Sequence, residues 1–283
     1  MRSAKPVAAA ALGLLLNVRG AETIAPGAFV VTVLDVGQGL STVVRTTGHT
    51  LVFDTGIRHG DRYDMGRIVV NPYLQAAGTD RLDALVISHA DRDHSGGAAA
   101  VMAAHPEARL VSTDLSLDAR AEACVAGQGW SWDGVRFDIL WPDRIRNSER
   151  NNQSCVIQIR SEYGRALMTG DIEAAAEFAL VQRHGASLRS ELLIVPHHGS
   201  KTSTTDAFLR SVAPALSVLP RGLYNPYSHP HESVRERLDR FVPTQLDTAF
   251  DGAVTVGFGP RSVEIRAFRR DSRPLWRSQP ARE

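Results

Sequence analysis

Residues 89–97 read His-Ala-Asp-Arg-Asp-His-Ser-Gly-Gly and follow directly on the apolar run Leu85-Val-Ile-Ser88. Four metal-ligating side chains, His89, Asp91, Asp93 and His94, therefore crowd into six residues at the end of an expected buried strand. Neutral imidazole with carboxylate is the ligand chemistry of Zn²⁺, and carboxylate-rich sets also suit Mn²⁺ or Mg²⁺. A solvated polar loop needs no such density. Alternation along an extended chain would send His89, Asp91 and Asp93 in related directions, with a turn bringing His94 round to join them. Gly96 and Gly97 then allow the chain to enter a helix whose N-terminus favours nearby negative charge.

Three further segments place polar groups just past apolar runs. Asp171 stands in Met168-Thr-Gly-Asp-Ile-Glu173, where taken alone it reads as a helix N-cap. His197 and His198 follow Val195-Pro196 and precede Gly199-Ser200-Lys201. Neighbouring residues of a strand point opposite ways, so one histidine is expected to bind metal and the other to support it. Tyr227-Ser-His229-Pro-His231 opens a long helical stretch and reads equally as a surface turn.

The rest of the chain supplies the frame. Strands are predicted at 29–34, 41–45, 51–53, 85–88, 135–140, 154–160, 166–168, 192–195, 215–219, 253–258 and 262–268. Helices are predicted over 67–77, 97–104, 173–183, 205–212 and 232–241. Strands interrupted by helices in both halves suit an α/β (α+β) architecture, two sheets face to face with helices outside. The 283 residues are 43% hydrophobic and 22% charged, ordinary for a soluble globular domain. A formal net charge of +1 gives no strong overall field, so affinity for nucleic acid must come from a local patch. Residues 1–27 hold Arg2, Lys5 and an apolar run at 7–16, too short to span a bilayer alone. That run reads as a signal-peptide core or as the end of a transmembrane helix. Residues 28–268 are expected to form one domain, and 269–283 a basic tail. Cys124 and Cys155 are too few and too far apart for a zinc-thiolate pattern. Two free thiols and a disulfide both remain open.

His89-x-Asp91-x-Asp93-His94, with Asp54 in Val52-Phe-Asp-Thr-Gly56, Asp171 and Pro196-His-His-Gly199, resembles the metallo-β-lactamase superfamily. Within it the chain looks like the C-terminal domain of ComEC-type competence proteins, which import DNA. Val33-Leu-Asp-Val-Gly-Gln-Gly39, Asn151-Asn-Gln-Ser-Cys-Val156, Thr169-Gly-Asp-Ile-Glu173, Pro196-His-His-Gly-Ser-Lys-Thr202 and His229-Pro-His231 carry that likeness from about Phe29 to Phe268. The resemblance implies an αββα sandwich with two divalent ions, Zn²⁺ or Mn²⁺, at one edge. By position, His89 and Asp91 would serve one ion and Asp93, His94 and His198 the other, with Asp171 bridging. Asp54 and His197 would support the ligands from behind. Two departures matter: Asp91 stands where most of the superfamily has histidine, and Asn151–Ser154 where a third histidine belongs. They give the first ion a harder, poorer ligand set, and the competence-type subfamily shares them.

The same resemblance implies hydrolysis of DNA phosphodiesters during uptake, outside the cytoplasm, beside a membrane channel or other uptake machinery. It implies no small organic cofactor. Asp93 or Asp171 would orient the attacking water, His229 would act as general acid, and Ser200 and Lys201 would contact the phosphate. Asn152 and Gln38 are further substrate-binding candidates. The ligand set equally suits another ester, such as a phosphocholine ester, lactone or thioester. A non-catalytic DNA-binding module with vestigial ligands is the third reading, and would show salt-dependent binding without turnover.

Overall fold

The computed structural model describes residues 23–60, 63–146 and 150–271. The apolar run at 7–16 and the tail from 272 lie outside that set. No helix among the described residues is long and apolar enough to cross a membrane.

Two large sheets form the centre. The first has eight strands in the order Val263–Ala267, Val254–Phe258, Phe29–Val33, Thr42–Arg45, Thr50–Phe53, Ala84–Ile87, Arg109–Ser112 and Glu122–Ala123. Pairing is antiparallel as far as Thr50–Phe53 and parallel beyond it. The second has seven, in the order Thr244–Asp247, Leu216–Leu219, Leu192–Ile194, Gly164–Met168, Val156–Ser161, Val135–Trp141 and Gly129–Trp132. Here the first four strands are parallel and the rest antiparallel.

Alternation assigns each strand residue to a layer. Ala166 and Met168 face the core between the sheets, while Leu167 between them joins the outer cluster. Ala84 and Val86 point inward in the same way, whereas Leu85 and Ile87 pack under the helices of the first sheet. Helices Ala174–His184, Asp206–Val212 and Glu232–Phe241 cover the second sheet; Asn71–Ala76 and Ala98–Ala104 cover the first. Full burial of a Val, Leu, Ile or Met side chain contributes about 1.5–3 kcal/mol, so a strand slipped by one residue would forfeit both faces at once. The result is the expected αββα sandwich.

The helix predicted over 67–77 divides into a π-helical stretch, Gly66–Val70, and the α-helix Asn71–Ala76. Arg109–Ser112, Glu122–Ala123, Gly129–Trp132 and Thr244–Asp247 are strands that the sequence pattern did not predict. The expected tail boundary also shifts. Arg269 donates to the carbonyls of Thr248 and Ala249 and pairs with Asp35, so Phe268–Asp271 belongs to the folded body. Cys124 and Cys155, both fully buried, are joined in a disulfide with Cα atoms 5.9 Å apart.

Candidate metal centre

The segments bearing Asp54, His89 to His94, Asp171, His197–His198 and His229 leave the carboxyl ends of parallel-paired strands, where open α/β sheets bind ligands. Those bearing Gln38 and Asn152 follow antiparallel strands. Thr50–Phe53 delivers Asp54, Ala84–Ile87 delivers His89 to His94, and Gly164–Met168 delivers Asp171. Leu192–Ile194 leads to His197 and His198, and Leu216–Leu219 to the loop bearing His229.

The central segment is not extended, which corrects the alternation expected for it. Asp91 caps a one-turn helix, Arg92–Ser95, and its carbonyl accepts from the backbone N–H of His94 and of Ser95. His89 and Asp91 therefore stay together, with Nε2 and Oδ2 3.6 Å apart, while Asp93 and His94 swing towards His198. Gly97 is required by crowding: a Cβ there would stand 2.3 Å from the Gly66 nitrogen. Gly170 is needed twice over. Its φ is +54°, and a Cβ would meet Ser88 and Ser154 at 2.8–2.9 Å, so only glycine lets these segments close round Asp171.

Asp171 is not an N-cap. Glu173 flanks the following helix, and the Oδ1 of Asn152 accepts from the N–H of Glu173 and Ala176. Asp171 is left 4% exposed beside three imidazoles. His197 and His198 lie in a tight turn with φ of 50° and 53°, not on a strand. His198 donates Nδ1–H to the Pro220 carbonyl at 2.8 Å. Its Nε2 is thereby aimed at Asp93 (3.3 Å), Asp171 (3.5 Å) and His94 Nε2 (3.2 Å). His197 sits further back, 3.8 Å from Asp171 and 3.4 Å from Glu173.

One carboxylate orients two of the imidazoles. Asp54, fully buried, accepts at 2.7 Å from the Ser88 N–H, the Ser88 hydroxyl and His94 Nδ1–H. Because the Ser88 hydroxyl gives its proton to Asp54, its lone pair receives His89 Nδ1–H at 3.0 Å. This network assigns the Nδ1–H tautomer to His89 and turns its Nε2 lone pair into the cluster.

The donor set fits a divalent cation. Ligand atoms of His89, His94 and Asp171 lie within 4.8 Å of one another, and so do those of Asp93, His94 and His198. His89 Nε2 and Asp171 Oδ1 are buried without a hydrogen bond, a costly state unless a cation takes both. His94 Nε2 approaches that Oδ1 to 3.0 Å without hydrogen-bond geometry, as two atoms do when aimed at a common point. Burial opposes charge throughout the cluster, and mutual attraction overcomes it. Against burial, His94 and His198 hold the Asp171 carboxyl well below its ordinary range, and Asp93 falls to about 2 beside His198 and His94. Burial would lower His94, yet Asp171 and Asp54 raise it well above the usual histidine value. Asp91 is lowered chiefly by the neighbouring His89 imidazole, 3.6 Å from its Oδ2, and Arg150 reaches its other oxygen at 3.3 Å.

The remaining expected residues fare unevenly. His229 stacks over His198 with ring centroids 6.4 Å apart. Burial, with His198 and His197 beside it, depresses its pKa to about 4, so the imidazole is neutral at neutral pH. A neutral ring cannot start as the general acid assigned to it. Asn152 caps the following helix through its Oδ1, and its Nδ2 lies 3.4 Å from Glu173. Ser200 is buried against Thr202, Lys201 is exposed, and Gln38 accepts from the Gly222 N–H. Ser88 and Arg150 were not singled out in the sequence. Ser88 had a signal in its place between the strand and His89; Arg150, in a polar run, had none.

The Metallo-beta-lactamase superfamily profile matches residues 34–250, and the chain belongs to that superfamily. It is 38% identical over 248 residues to Competence protein ComA of Neisseria gonorrhoeae, a match covering 88% of this chain and 35% of that protein. It is 37% identical over 250 residues to Recombination protein 2 of Haemophilus influenzae, covering 87% and 31%. The chain spans about a third of the length of these curated relatives. Among solved structures, Igni18, a metallo hydrolase of the archaeon Ignicoccus hospitalis, aligns with a TM-score of 0.55 at 15% identity. That alignment covers 82% of this chain and 100% of the other, and shows a shared fold. Family and donor set together define a metal-dependent hydrolase domain.

Proposed function

We propose that this domain hydrolyses phosphodiester bonds of DNA during uptake, on the outer side of the cytoplasmic membrane. The observation that carries the reading is the six-residue donor cluster, with Asp171 lying between the His89–Asp91 and Asp93–His94–His198 groups. Such a set would hold two divalent ions, Zn²⁺ or Mn²⁺. Ions so held supply Lewis acidity and an activated water, chemistry suited to phosphodiester cleavage. Relatives named for competence and recombination support DNA as the substrate and an uptake channel as the partner. The Cys124–Cys155 disulfide supports an oxidising compartment.

The chain's own residues then divide the work. Asp93 and Asp171, ionised throughout the neutral range, orient the attacking water. Neutral His229 offers a hydrogen bond to the phosphate in place of a proton. Lys201 and Arg150 balance the charge of the strand as it approaches. Cleavage of labelled single- and double-stranded DNA, with Mn²⁺, Zn²⁺ or EDTA, tests this beside Asp93→Ala. Turnover that needs metal and disappears in the variant is expected. Cleavage that persists in both EDTA and the variant would sink it.

A further inference from the structure

Five rings run in file from solvent to the floor of the donor cluster. Tyr227 stacks on His229 (5.5 Å, 26° between planes) and His229 on His198 (6.4 Å, 21°). His198 meets His94 at 5.1 Å, and His94 meets His89 at 4.3 Å. The four histidines are buried or half-buried, whereas Tyr227 is 64% exposed and ends the file at the surface.

The loop that carries Tyr227 is pinned on both sides of it. Asn225 donates to the carbonyls of Gly222 and His229 and accepts from the His229 N–H. The His231 N–H donates to the Gly199 carbonyl, which fixes the loop against the turn that holds His198. A fixed loop thus keeps a large apolar ring in water, with one face on His229. An exposed aromatic face in line with a phosphate-handling centre is the arrangement by which proteins hold unpaired bases.

We propose that Tyr227 is a nucleobase platform, on which the base next to the scissile phosphate stacks, so that the site selects an unpaired strand. This rests on the DNA reading above. A base inside a duplex has both faces covered by its neighbours and cannot use the ring. An unpaired base of any sequence can, since every base has a π-face.

The test is binding, read by fluorescence anisotropy of a labelled oligonucleotide. A single strand, the same strand with abasic sites, and its duplex are each titrated with the intact chain, with Tyr227→Phe and with Tyr227→Ala. The wild type should hold the single strand roughly tenfold more tightly than the abasic strand or the duplex. Tyr227→Phe, which keeps the ring, should preserve that preference. Tyr227→Ala should bring the single strand to the abasic level. A strand containing 2-aminopurine should lose fluorescence on binding the wild type and Tyr227→Phe, and keep it with Tyr227→Ala. Equal affinity for normal and abasic strands, or a preference unchanged in Tyr227→Ala, overturns the platform alone and leaves DNA hydrolysis standing. Binding to none of the three, with bis-p-nitrophenyl phosphate still hydrolysed, overturns the platform and the DNA reading together.

Discussion

The two halves of the donor cluster are built differently. On one side, His94, His198 and Asp171 are almost wholly buried, and each histidine is fixed by a short hydrogen bond behind it. On the other, Asp91 is about a third exposed and shares its carboxylate with Arg150, whose side chain is 78% exposed. Ser154 stands at the back of that side; its hydroxyl lies 3.2 Å from His89 Nδ1 and accepts from the Asp171 N–H. The difference rests on Asp91, since His89 beside it is as buried and as firmly held as the histidines opposite. It teaches that one partly exposed carboxylate can set the two ends of a site apart.

The largest effects should fall on the side of His94 and His198. Asp171→Ala or Asp93→Ala should lower hydrolysis by more than about a hundredfold, and Asp91→Ala by about tenfold. Steady-state kinetics against bis-p-nitrophenyl phosphate checks this, and equal losses for Asp91 and Asp93 would erase the distinction. Replacing both cysteines by serine should cost about 3–4 kcal/mol of stability in denaturant unfolding, from a pair 31 residues apart. Cys155 directly follows Ser154, and its N–H donates to the Ser88 carbonyl, so the weaker half should loosen first. Asp54→Asn should weaken cation affinity at both halves by about 10–100-fold, whereas Ser88→Ala should affect only the half built on His89. Isothermal titration with Mn²⁺ distinguishes two classes of site from one.

The smallest effect is a pH slope. In chelated protein the His94 pKa is raised, so its contribution to stability is full below about 6.5 and is lost as pH climbs through the raised value. Melting temperature in EDTA should therefore fall by about 2–4 °C between about pH 6 and about pH 9. With Mn²⁺ present the slope should reverse, because a cation replaces that proton. A parallel slope with and without the ion would remove His94 from the ligand set.

Much of this was legible in the sequence where burial leaves a mark. His89 to His94 announces itself because four ligands follow an apolar strand, and Leu192–Ile194 and Leu216–Leu219 read as strands because both faces are covered. Thr244–Asp247 and Gly129–Trp132 escaped because they are outermost in their sheet. Thr244–Asp247 buries only Leu246 fully, and exposed and half-buried residues alternate along Gly129–Trp132. Arg109–Ser112 lies inside its sheet and was missed because Leu110 and Val111 are its only apolar residues. At the site, ligand types were readable but directions were not. The capped turn at Asp91 and the left-handed pair His197–His198 arise from tertiary crowding, which a local pattern does not encode. The carboxamide of Asn152 looked free for substrate because its helix cap lies across two segments far apart in sequence.

The pairing of Phe29–Val33 with Val254–Phe258 has a consequence for how the chain is made. Thr32 and Thr255 share a hydrogen bond across 223 positions of sequence, and the rings of Phe29 and Phe258 stack at 4.5 Å. During synthesis the first strand must wait, with one edge unpaired, until nearly the whole domain has left the ribosome. Long-range closure of this kind slows folding and leaves a strand edge open to other chains meanwhile. A polypeptide stopped near residue 250 would retain every member of the donor cluster and still lack the strand that seals its first sheet.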